Sequence, residues 1–432
     1  MRKLALLFPG QGSQYVGMGK ELLERSATAR SVFAEANEVL GFDLQQIIAA
    51  GSAEELTRTE YAQPALLTVS VAAYRVYMEE IGVVPAYAAG HSLGEFSALT
   101  CAGVISYPDA LRLVRRRGQL MQEAAAEEAG AMCAVIGSSR ERIEAVCVQA
   151  SNSDERMVVV SNYNSSEQLV ISGHRLAVEE AARTLESDGA RISFLKVSAP
   201  FHSPLMHSAA AKFREELAAC TYGSFEWPVV ANVTGKPYES PAQITSLLTQ
   251  QLTAPVRWDQ TMQELCDGGV SIAVELGAKR VLTQFMKSDA KSIVCYPYEK
   301  AAELDLLRQE LAPEQLEQAR RLAANNVVTR CLAAAVCTKN RNWDLEEYEQ
   351  GFVAPYKQVQ RLQEQLDETG APPTEAQMRE ALELLKQMFI TKRVPEQEQR
   401  ERLVDILKQT GTTSLFSSML ADSEHLHALE PC

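Results

Sequence analysis

Short apolar runs near the N-terminus each lead into a turn-rich segment. Leu4–Phe8 ends at Pro9–Ser13, and Ala86–Gly90 ends at Gly90–Gly94, after which a helical pattern follows. Between the two runs lies a long amphipathic stretch, Pro64–Glu80. Apolar runs bounded by turn residues are typical of buried strands. Strands that alternate with helical segments predict βα units and a mainly parallel sheet.

The pattern changes between about Gly130 and Val197, where strand-like runs bracket helical segments in the order β-α-β-β-α-β. That order is typical of a ferredoxin-like fold. We therefore predict a ferredoxin-like subdomain at 129–198, inserted into a larger α/β body at 1–128 and 199–302. The strands predicted for the subdomain and then for the rest of the body are Met132–Ile136, Met157–Val160, Leu169–Ser172, Ile192–Val197, Pro228–Asn232, Ile272–Leu276 and Ser292–Tyr296.

Strand signals stop after about Glu303, and the chain becomes rich in Glu, Gln, Arg, Leu and Ala. Thr374-Glu-Ala-Gln377 is a capping-box pattern, and apolar residues then recur at helical spacing as far as Phe389. A second helix is predicted from Pro395 to about Thr410. Residues 303–432 are therefore predicted to form an all-helical C-terminal extension, and no motif that carries chemistry occurs in it.

Charge and cysteine content narrow the class of protein. The chain has 432 residues and a formal net charge of −14, which argues against general binding of nucleic acid or an anionic membrane. Pro9 and Gly10 interrupt the first apolar run before it could serve as a secretory signal, and no apolar window approaches a membrane span. Nine cysteines without a C-x-x-C pair favour reduced thiols over disulfides or zinc, and hence a cytoplasmic location.

Gly90-His91-Ser92-Leu93-Gly94 fits the G-x-S-x-G pattern. In that pattern a sharp turn between a strand and a helix exposes the serine hydroxyl, and the glycines make room for the backbone. Ser92 is therefore the candidate nucleophile. The N–H of Leu93 and the N-terminus of the following helix would stabilise a developing oxyanion.

A serine hydroxyl needs a base to take its proton, and histidine is the usual partner. Of six histidines, His91 adjoins the serine and is expected to point elsewhere, in a structural or pocket-lining role. His202 follows a predicted strand and begins a loop, which suits a catalytic side chain, although a loop histidine held by hydrogen bonds fits the spacing equally.

The first βα loop supplies a second candidate oxyanion donor, the backbone N–H of Gln11, since loops at the carboxyl ends of parallel strands gather at one crevice. Dinucleotide binding is the competing interpretation of this loop. Tyr15 occupies the last glycine position of the G-x-G-x-x-G pattern, which disfavours it.

Four arginines lie close together at positions 112, 115, 116 and 117. A solvated helix face is the default interpretation of such a run. One of the four could instead hold a substrate carboxylate through two parallel hydrogen bonds, because the guanidinium fork matches that geometry.

Taken together, these motifs resemble the malonyl-CoA:acyl carrier protein transacylase family over roughly residues 1–300. The matching segments are Phe8-Pro9-Gly10-Gln11-Gly12-Ser13-Gln14, Gly90-His91-Ser92-Leu93-Gly94-Glu95, Arg117-Gly118, Phe201-His202-Ser203 and Gln251-Leu252-x-x-Pro255-Val256-x-Trp258. The resemblance implies a hydrolase-like α/β body with a ferredoxin-like insert, in agreement with the pattern above. It also implies malonyl transfer from coenzyme A through a serine ester to an acyl carrier protein, with no cofactor.

The resemblance implies a role for each matching residue. Ser92 is the nucleophile and His202 the base, with Gln11 and Leu93 as oxyanion donors. Gln251 supplies a backbone carbonyl that orients His202, and Arg117 pairs with the free carboxylate of the malonyl group. No metal is implied.

Two departures from the family pattern stand out. Gly277-Ala278-Lys279-Arg280 replaces a Gly-Pro-Gly-Lys turn, and the extension after residue 302 lies outside the family pattern. The extension could dock a carrier protein or a polyketide synthase, mediate self-association, or cover the body.

Three questions stay open at this point. An acyl-carrier thioester hydrolase of the same fold, or an inactive scaffold that acts through its helical extension, are the alternative functions. The carrier could belong to fatty acid or to polyketide synthesis. The donor could be malonyl-CoA or a substituted malonyl-CoA.

Overall fold

The computed structural model describes residues 2–127, 130–151, 156–195, 197, 199–324, 326–369, 372–413 and 415–416. Contacts divide the chain into two compact units, Met1–Leu311 and Ala312–Cys432. The predicted subdomain limits at 128, 129 and 198, part of the strand predicted at Ile192–Val197, and the last residues of the extension lie outside the described residues. The domain limits drawn from the sequence stay a prediction.

Ten strands lie among the described residues of the first unit. In chain order they are β1 Lys3–Phe8, β2 Tyr87–Gly90, β3 Gly130–Ile136, β4 Val158–Tyr163, β5 Gln168–His174, β6 Arg191–Phe194, β7 Val229–Val230, β8 Val256–Arg257, β9 Val270–Glu275 and β10 Val294–Pro297.

The α-helices, in chain order, are α1 Lys20–Arg25, α2 Ala27–Leu40, α3 Leu44–Ala50, α4 Ala53–Thr57, α5 Thr59–Glu80, α6 Leu93–Cys101, α7 Tyr107–Glu127, α8 Arg140–Ala150, α9 Arg175–Ser187, α10 His207–Ala218, α11 Ile244–Gln251, α12 Trp258–Asp267, α13 Val281–Asp289, α14 Ala301–Ala324, α15 Val327–Cys337, α16 Leu345–Tyr348, α17 Ala354–Thr369, α18 Glu375–Thr391 and α19 Glu396–Gln409. Short 3-10 turns cover Pro204–Met206 and Pro241–Gln243, and a π-turn covers Glu349–Val353.

The larger sheet has the strand order β10-β9-β1-β2-β7, and all of its pairs are parallel. Alternate residues of β1 enter two different cores: Leu4, Leu6 and Phe8 pack in one, and Ala5 and Leu7 in the other. A parallel sheet buried on both faces needs apolar residues at nearly every position, which explains the uninterrupted apolar run of β1. The α/β class predicted from the sequence is confirmed.

The smaller sheet has the order β6-β3-β5-β4-β8. Its first four strands pair antiparallel, with α8 and α9 between them in the chain in a β-α-β-β-α-β sequence. One face carries its own core, whereas Met132, Ala134 and Val170 on the other face join the core of the larger sheet. Strand β8 comes from the body and pairs parallel to β4. The small sheet is therefore tied to the body by packing and by backbone hydrogen bonds.

Helix α5 begins earlier than the predicted stretch at Pro64. The structure has it from Thr59, with Pro64 inside the helix. Proline lacks the N–H that an interior helix position normally donates, so a helix is expected to begin near it. Ala62, Gln63 and Pro64 are fully buried, and this tertiary packing extends the helix past the local signal.

The second unit has an apolar core of its own. Buried residues of α15, α17, α18 and α19 form it, among them Val328, Val359, Leu385 and Leu407. Helix α18 starts with the capping box, since the Thr374 hydroxyl accepts from Gln377 N and the Gln377 side chain accepts from Thr374 N. The helical pattern of this region is thus explained by capping and by one continuous apolar face.

Candidate active site

Ser92 occupies the turn between β2 and α6 and has an unusual backbone conformation. Its φ is 51° and its ψ is −104°, a region that a residue with a side chain rarely adopts unless the surroundings hold it there. A Cβ atom on Gly90 would lie 1.9 Å from the Gly94 backbone, and one on Gly94 would lie 2.0 Å from the Phe8 carbonyl oxygen. Both glycines are therefore required for the sharp turn that presents the serine.

Asn232 holds this turn from the neighbouring strand end. Its side-chain Oδ1 accepts from the Ser92 backbone N at 2.6 Å, and its Nδ2 donates to the Gly90 carbonyl oxygen at 2.7 Å. Asn232 is fully buried. The strained backbone of Ser92 is thus clamped on both sides by a single amide.

His202 faces the serine hydroxyl. The Ser92 Oγ to His202 Nε2 distance is 2.8 Å, and His202 Nδ1 lies 2.7 Å from the backbone oxygen of Gln251. Because a carbonyl oxygen only accepts, Nδ1 carries the proton and Nε2 has a lone pair toward Ser92. Burial, and then the nearby Arg117 charge, lower the pKa of His202 to about 3. The imidazole is therefore neutral at neutral pH and suited to accept a proton.

Arg117 is the one arginine of the run whose guanidinium reaches this serine. Its side chain is 1% exposed, and its Nη2 lies 3.2 Å from Ser92 Oγ and 2.9 Å from the Gln251 side-chain Oε1. Burial lowers its pKa to about 10, so it stays charged at neutral pH. Its Nε is buried and has no hydrogen-bond partner among the described residues. A charged donor with unused bonding capacity beside the nucleophile fits an anionic substrate group.

The other three arginines of the run are engaged elsewhere. Arg112 pairs with Asp109, Arg115 donates to the Leu40 carbonyl oxygen, and Arg116 pairs with Glu123 and Glu216. The solvated-face interpretation therefore suits Arg112 and Arg116. Of the four arginines, the buried Arg117 is the one that suits binding of a substrate carboxylate.

Gln11 lies in the loop that follows β1, beside the serine turn. Strands β1 and β2 pair parallel with Phe8 opposite Gly90, and a Cβ on Gly10 would lie 2.3 Å from the His91 carbonyl oxygen. The loop is thus in close contact with the turn. Leu93 is the first residue of α6, and the first N–H groups of a helix have no acceptor within it. The oxyanion roles of Gln11 and Leu93 stay a prediction.

His91 is directed away from the Ser92 hydroxyl. Its Nε2 lies 2.8 Å from Asn164 Oδ1 of the small sheet region, and its ring packs 5.7 Å from the Trp258 ring, centroid to centroid. Burial lowers its pKa. The structure thus places His91 in a contact between the two sheets.

A groove of about 780 Å³ lies beside the site. It is lined from the body by Arg58, Thr59 and Phe201 and from the small subdomain by Arg175 and Leu195. Phe201 precedes His202, and the Thr59 hydroxyl lies 3.4 Å from Gln11 Nε2. The groove could therefore admit a long substrate toward Ser92, and two arginines line it.

Neither Asn232 nor Glu95 was predicted from the sequence to be a site residue. Glu95 is 1% exposed and accepts a hydrogen bond from the side chain of Gln251. An acidic residue in the first turn of the otherwise uncharged helix α6 was the available signal. Asn232 had no such signal, because its partners are backbone groups about 140 residues away in the chain.

Among the described residues, no group of three or more His, Cys, Asp or Glu side chains could hold a metal ion. Likewise, no helix in the described part of the chain combines the length and the hydrophobicity needed to cross a membrane.

Comparison with known proteins agrees with this fold. Residues 5–331 match the acyl transferase domain family. A malonyl CoA-acyl carrier protein transacylase of Bacillus subtilis is 38% identical over 92% of this chain and 99% of its own length. The enzyme of that name from Escherichia coli K12 is 44% identical over 66% of this chain and 93% of its own length.

A solved structure extends the comparison. A malonyl-transacylase in complex with a type II polyketide synthase acyl-carrier protein is 41% identical, covers 71% of this chain and 99% of its own, and superposes with a TM-score of 0.69. The fold is that of an acyltransferase. The chain belongs to the malonyl CoA-acyl carrier protein transacylase family.

Proposed function

We propose that this protein transfers a malonyl group from malonyl-CoA, through an ester on Ser92, to the phosphopantetheine thiol of an acyl carrier protein. One observation carries the choice of donor: the buried guanidinium of Arg117 lies 3.2 Å from the Ser92 hydroxyl. Membership of the transacylase family supports the same reaction.

In the first half-reaction, Ser92 Oγ attacks the thioester carbonyl carbon of malonyl-CoA while His202 Nε2 takes the hydroxyl proton. The oxygen of the tetrahedral intermediate is stabilised by the N–H groups of Gln11 and Leu93. The C–S bond then breaks, and the coenzyme A sulfur leaves with the proton from His202. Ser92 is left as a malonyl ester, and His202 is neutral again.

The second half-reaction repeats these steps in reverse order. The carrier's phosphopantetheine thiol gives its proton to His202 and attacks the Ser92 ester, the C–O bond breaks, and the proton returns to Ser92. The reaction needs no cofactor, because malonyl-CoA is a substrate. We place it in the cytoplasm, which the free thiols of the described cysteines support.

Arg117 provides the selectivity for a donor with a free carboxylate. A malonyl carboxylate would pair with the guanidinium, whereas an acetyl group would leave a buried charge without its partner. A site built to pair a polar group rejects an analogue that lacks it by about 10⁴- to 10⁵-fold. Gln251 Oε1 keeps the guanidinium in place in the absence of substrate.

Intact-mass measurement after incubation with malonyl-CoA tests the proposed chemistry. We expect the wild-type chain to gain one malonyl group, and Ser92→Ala to gain none. Ser97→Ala is the control, because Ser97 is a buried serine of α6, the helix that follows Ser92, and is not part of the site. No adduct on the wild-type chain, or an adduct that survives in Ser92→Ala, would remove the proposal and favour an inactive scaffold.

An acyl-carrier thioester hydrolase is the alternative enzyme of this fold. A neutral acyl group has no charge that could pair with a buried cation beside the nucleophile. The presence of Arg117 therefore disfavours the hydrolase function. Release of free acetate from acetylated carrier protein, measured beside malonyl transfer, separates the two. Hydrolysis faster than malonyl transfer would favour the hydrolase.

For the helical unit after Leu311 we propose a docking role, toward a carrier protein or a polyketide synthase. The Bacillus subtilis relative matches 92% of this chain, whereas the Escherichia coli relative matches only 66% while covering 93% of itself. Most of the extension is thus matched in the first relative and not in the second. A chain that ends at Leu311 should keep malonyl self-acylation and lose transfer to its own carrier; unchanged transfer would contradict docking.

A further inference from the structure

Glu95 is a buried carboxylate that the proposed reaction does not use. It is the third residue of α6 and is 1% exposed. Burial raises its pKa to about 7, although hydrogen bonds from Tyr238, Gln251 and Asn232 and the nearby Arg117 charge oppose the shift. A buried carboxylate costs several kcal/mol unless its oxygens are hydrogen-bonded. The hydrogen-bond partners of Glu95 should therefore indicate its role.

Both oxygens of Glu95 accept hydrogen bonds. The Tyr238 hydroxyl donates to Oε1, and Oε2 accepts from Gln251 Nε2 at 2.6 Å and from Asn232 N at 3.2 Å. Two of these three donors belong to residues that touch the reacting groups. Glu95 is thus one contact removed from the site.

The Gln251 side chain has only one orientation that satisfies its neighbours. Its Nε2 donates to Glu95 and to the Ser92 carbonyl oxygen at 3.0 Å, which directs Oε1 to Arg117 Nη2. If the amide were flipped, its oxygen would face two acceptors and its NH₂ would face a guanidinium. Glu95 therefore sets which end of the amide meets Arg117. Through the same residue it supports the backbone carbonyl that His202 contacts.

Asn232 provides the second connection. Its backbone N–H donates to Glu95, while its side chain clamps the Ser92 turn between Gly90 O and Ser92 N. Because Ser92 holds a positive φ of 51°, this turn depends on the position of Asn232. The carboxylate thus anchors two residues that together contact the nucleophile, the base and the cation.

We infer that Glu95 is a positioning residue, whose carboxylate oxygens orient Gln251 and Asn232 and thereby hold Arg117 and Ser92 in register for a malonyl donor. This inference rests on the proposed malonyl transfer. It assigns Glu95 an action through hydrogen bonds, and no contact with substrate.

Glu95→Met removes both acceptor oxygens at similar volume. We expect kcat/KM for malonyl-CoA to fall about 100-fold, since a displacement of about 1 Å in a positioned group has that effect. The malonyl-to-acetyl ratio of kcat/KM should fall about tenfold, because Arg117 contributes to malonyl binding alone. If Glu95 had a merely structural role, kcat/KM would fall equally for malonyl-CoA and acetyl-CoA. The fall would then match the loss of active enzyme, which the burst of acyl-enzyme measures.

Glu95→Gln is the conservative variant. Its amide oxygen can accept from Gln251 and Asn232 while its NH₂ donates to the Tyr238 hydroxyl, so most of the malonyl-to-acetyl ratio should return. If Glu95→Gln is as impaired as Glu95→Met, the effect depends on charge, and the hydrogen-bonding role is overturned.

Glu275 provides a matched control. It is also a fully buried carboxylate with three hydrogen bonds, from Leu282 N, Thr283 N and Thr283 Oγ1, and burial raises its pKa to about 7 as well. None of these partners belongs to the site. Glu275→Met should lower the thermal midpoint and leave the malonyl-to-acetyl ratio unchanged.

A double-mutant cycle with Gln251→Leu completes the test. Gln251→Leu keeps the backbone carbonyl but removes the amide, so the malonyl-to-acetyl ratio should fall, and Glu95→Met should lower it little further in that background. Full additivity would overturn the inference, and an unchanged ratio in Gln251→Leu would overturn it even where Glu95→Met fails to fold. Absence of a wild-type malonyl adduct would instead refute the proposed function.

Discussion

The two units of this protein both bury charged side chains, but they use them differently. In the first unit Arg117 and Glu95 are each 1% exposed and are connected through Gln251 to Ser92. In the second unit Lys392 is 4% exposed, and its Nζ donates to the carbonyl oxygens of Ala335 and Thr338, near the end of α15. A buried charge alone therefore does not indicate a site.

What distinguishes the body is convergence on a reactive atom. Ser92 Oγ is contacted by His202 Nε2 and by Arg117 Nη2, two side chains from separate elements. Lys392, by contrast, satisfies helix-end carbonyls and lies 4.4 Å from the Phe352 ring centroid, inside an apolar core. The same kind of group lies beside the proposed nucleophile in one unit and caps a helix end in the other.

The largest expected effect is on the base. His202→Ala should lower the rate of Ser92 malonylation by about 10⁴-fold or more, because His202 Nε2 is the proposed acceptor of the hydroxyl proton. Rapid-quench intact-mass measurement gives this rate. His207→Ala, an exposed histidine at the start of α10, should behave as wild type. Malonylation of His202→Ala at a rate near wild type would contradict the proposal that the side chains around Ser92 form a reactive site, which is what distinguishes the first unit from the second.

Arg117→Ala should have the next largest effect, and it should be specific to the donor. We expect kcat/KM for malonyl-CoA to fall about 10³-fold and that for acetyl-CoA to change far less, because only malonyl carries the carboxylate. Arg116→Ala is the adjacent control, since Arg116 pairs with Glu123 and Glu216. An equal fall in kcat/KM for both donors would indicate that Arg117 has a structural role and does not select the donor.

Removal of the buried Lys392 charge in the second unit should affect stability and not activity. Lys392→Met should lower the free energy of unfolding of that unit by about 1–3 kcal/mol, through two carbonyls left without a donor. Chemical denaturation followed by circular dichroism measures the loss, with exposed Lys357→Met as control. Malonylation of Ser92 should not change; a parallel loss of activity would show that the units do not divide their roles as described.

The smallest effect is a shift in titration. Arg117 is one of the causes that lower the pKa of His202, after burial, so Arg117→Ala should raise that pKa while burial keeps it below the usual value of about 6.5. His202 favours the neutral form in the folded state, so its contribution to stability is present above pH 6.5 and lost as the pH falls toward about 3. Nitrogen-15 NMR of the ring follows both changes; an unchanged pKa would exclude the charge effect.

Much of the fold followed from local patterns. The apolar runs predicted at Leu4–Phe8 and Leu169–Ser172 are strands β1 and β5 within a few residues, and the capping box at Thr374 begins α18. These patterns are local, because turn residues, caps and apolar periodicity act within a few positions of the chain. Helix α5 was the exception, since buried neighbours extend it past Pro64.

The sequence by itself was enough to predict Ser92, within its glycine-rich turn, as the nucleophile. It also identified His202 as a candidate base and the arginine run as a candidate carboxylate-binding site. Within that run the family resemblance named Arg117, and the tertiary structure gives the physical reason, because Arg117 alone of the four is fully buried. Gln251 acts partly through a backbone carbonyl, which every residue carries, and Asn232 and Glu95 act across about 140 residues of chain. Contacts of that kind have no local pattern, because they arise only when the packed sheets bring distant segments together.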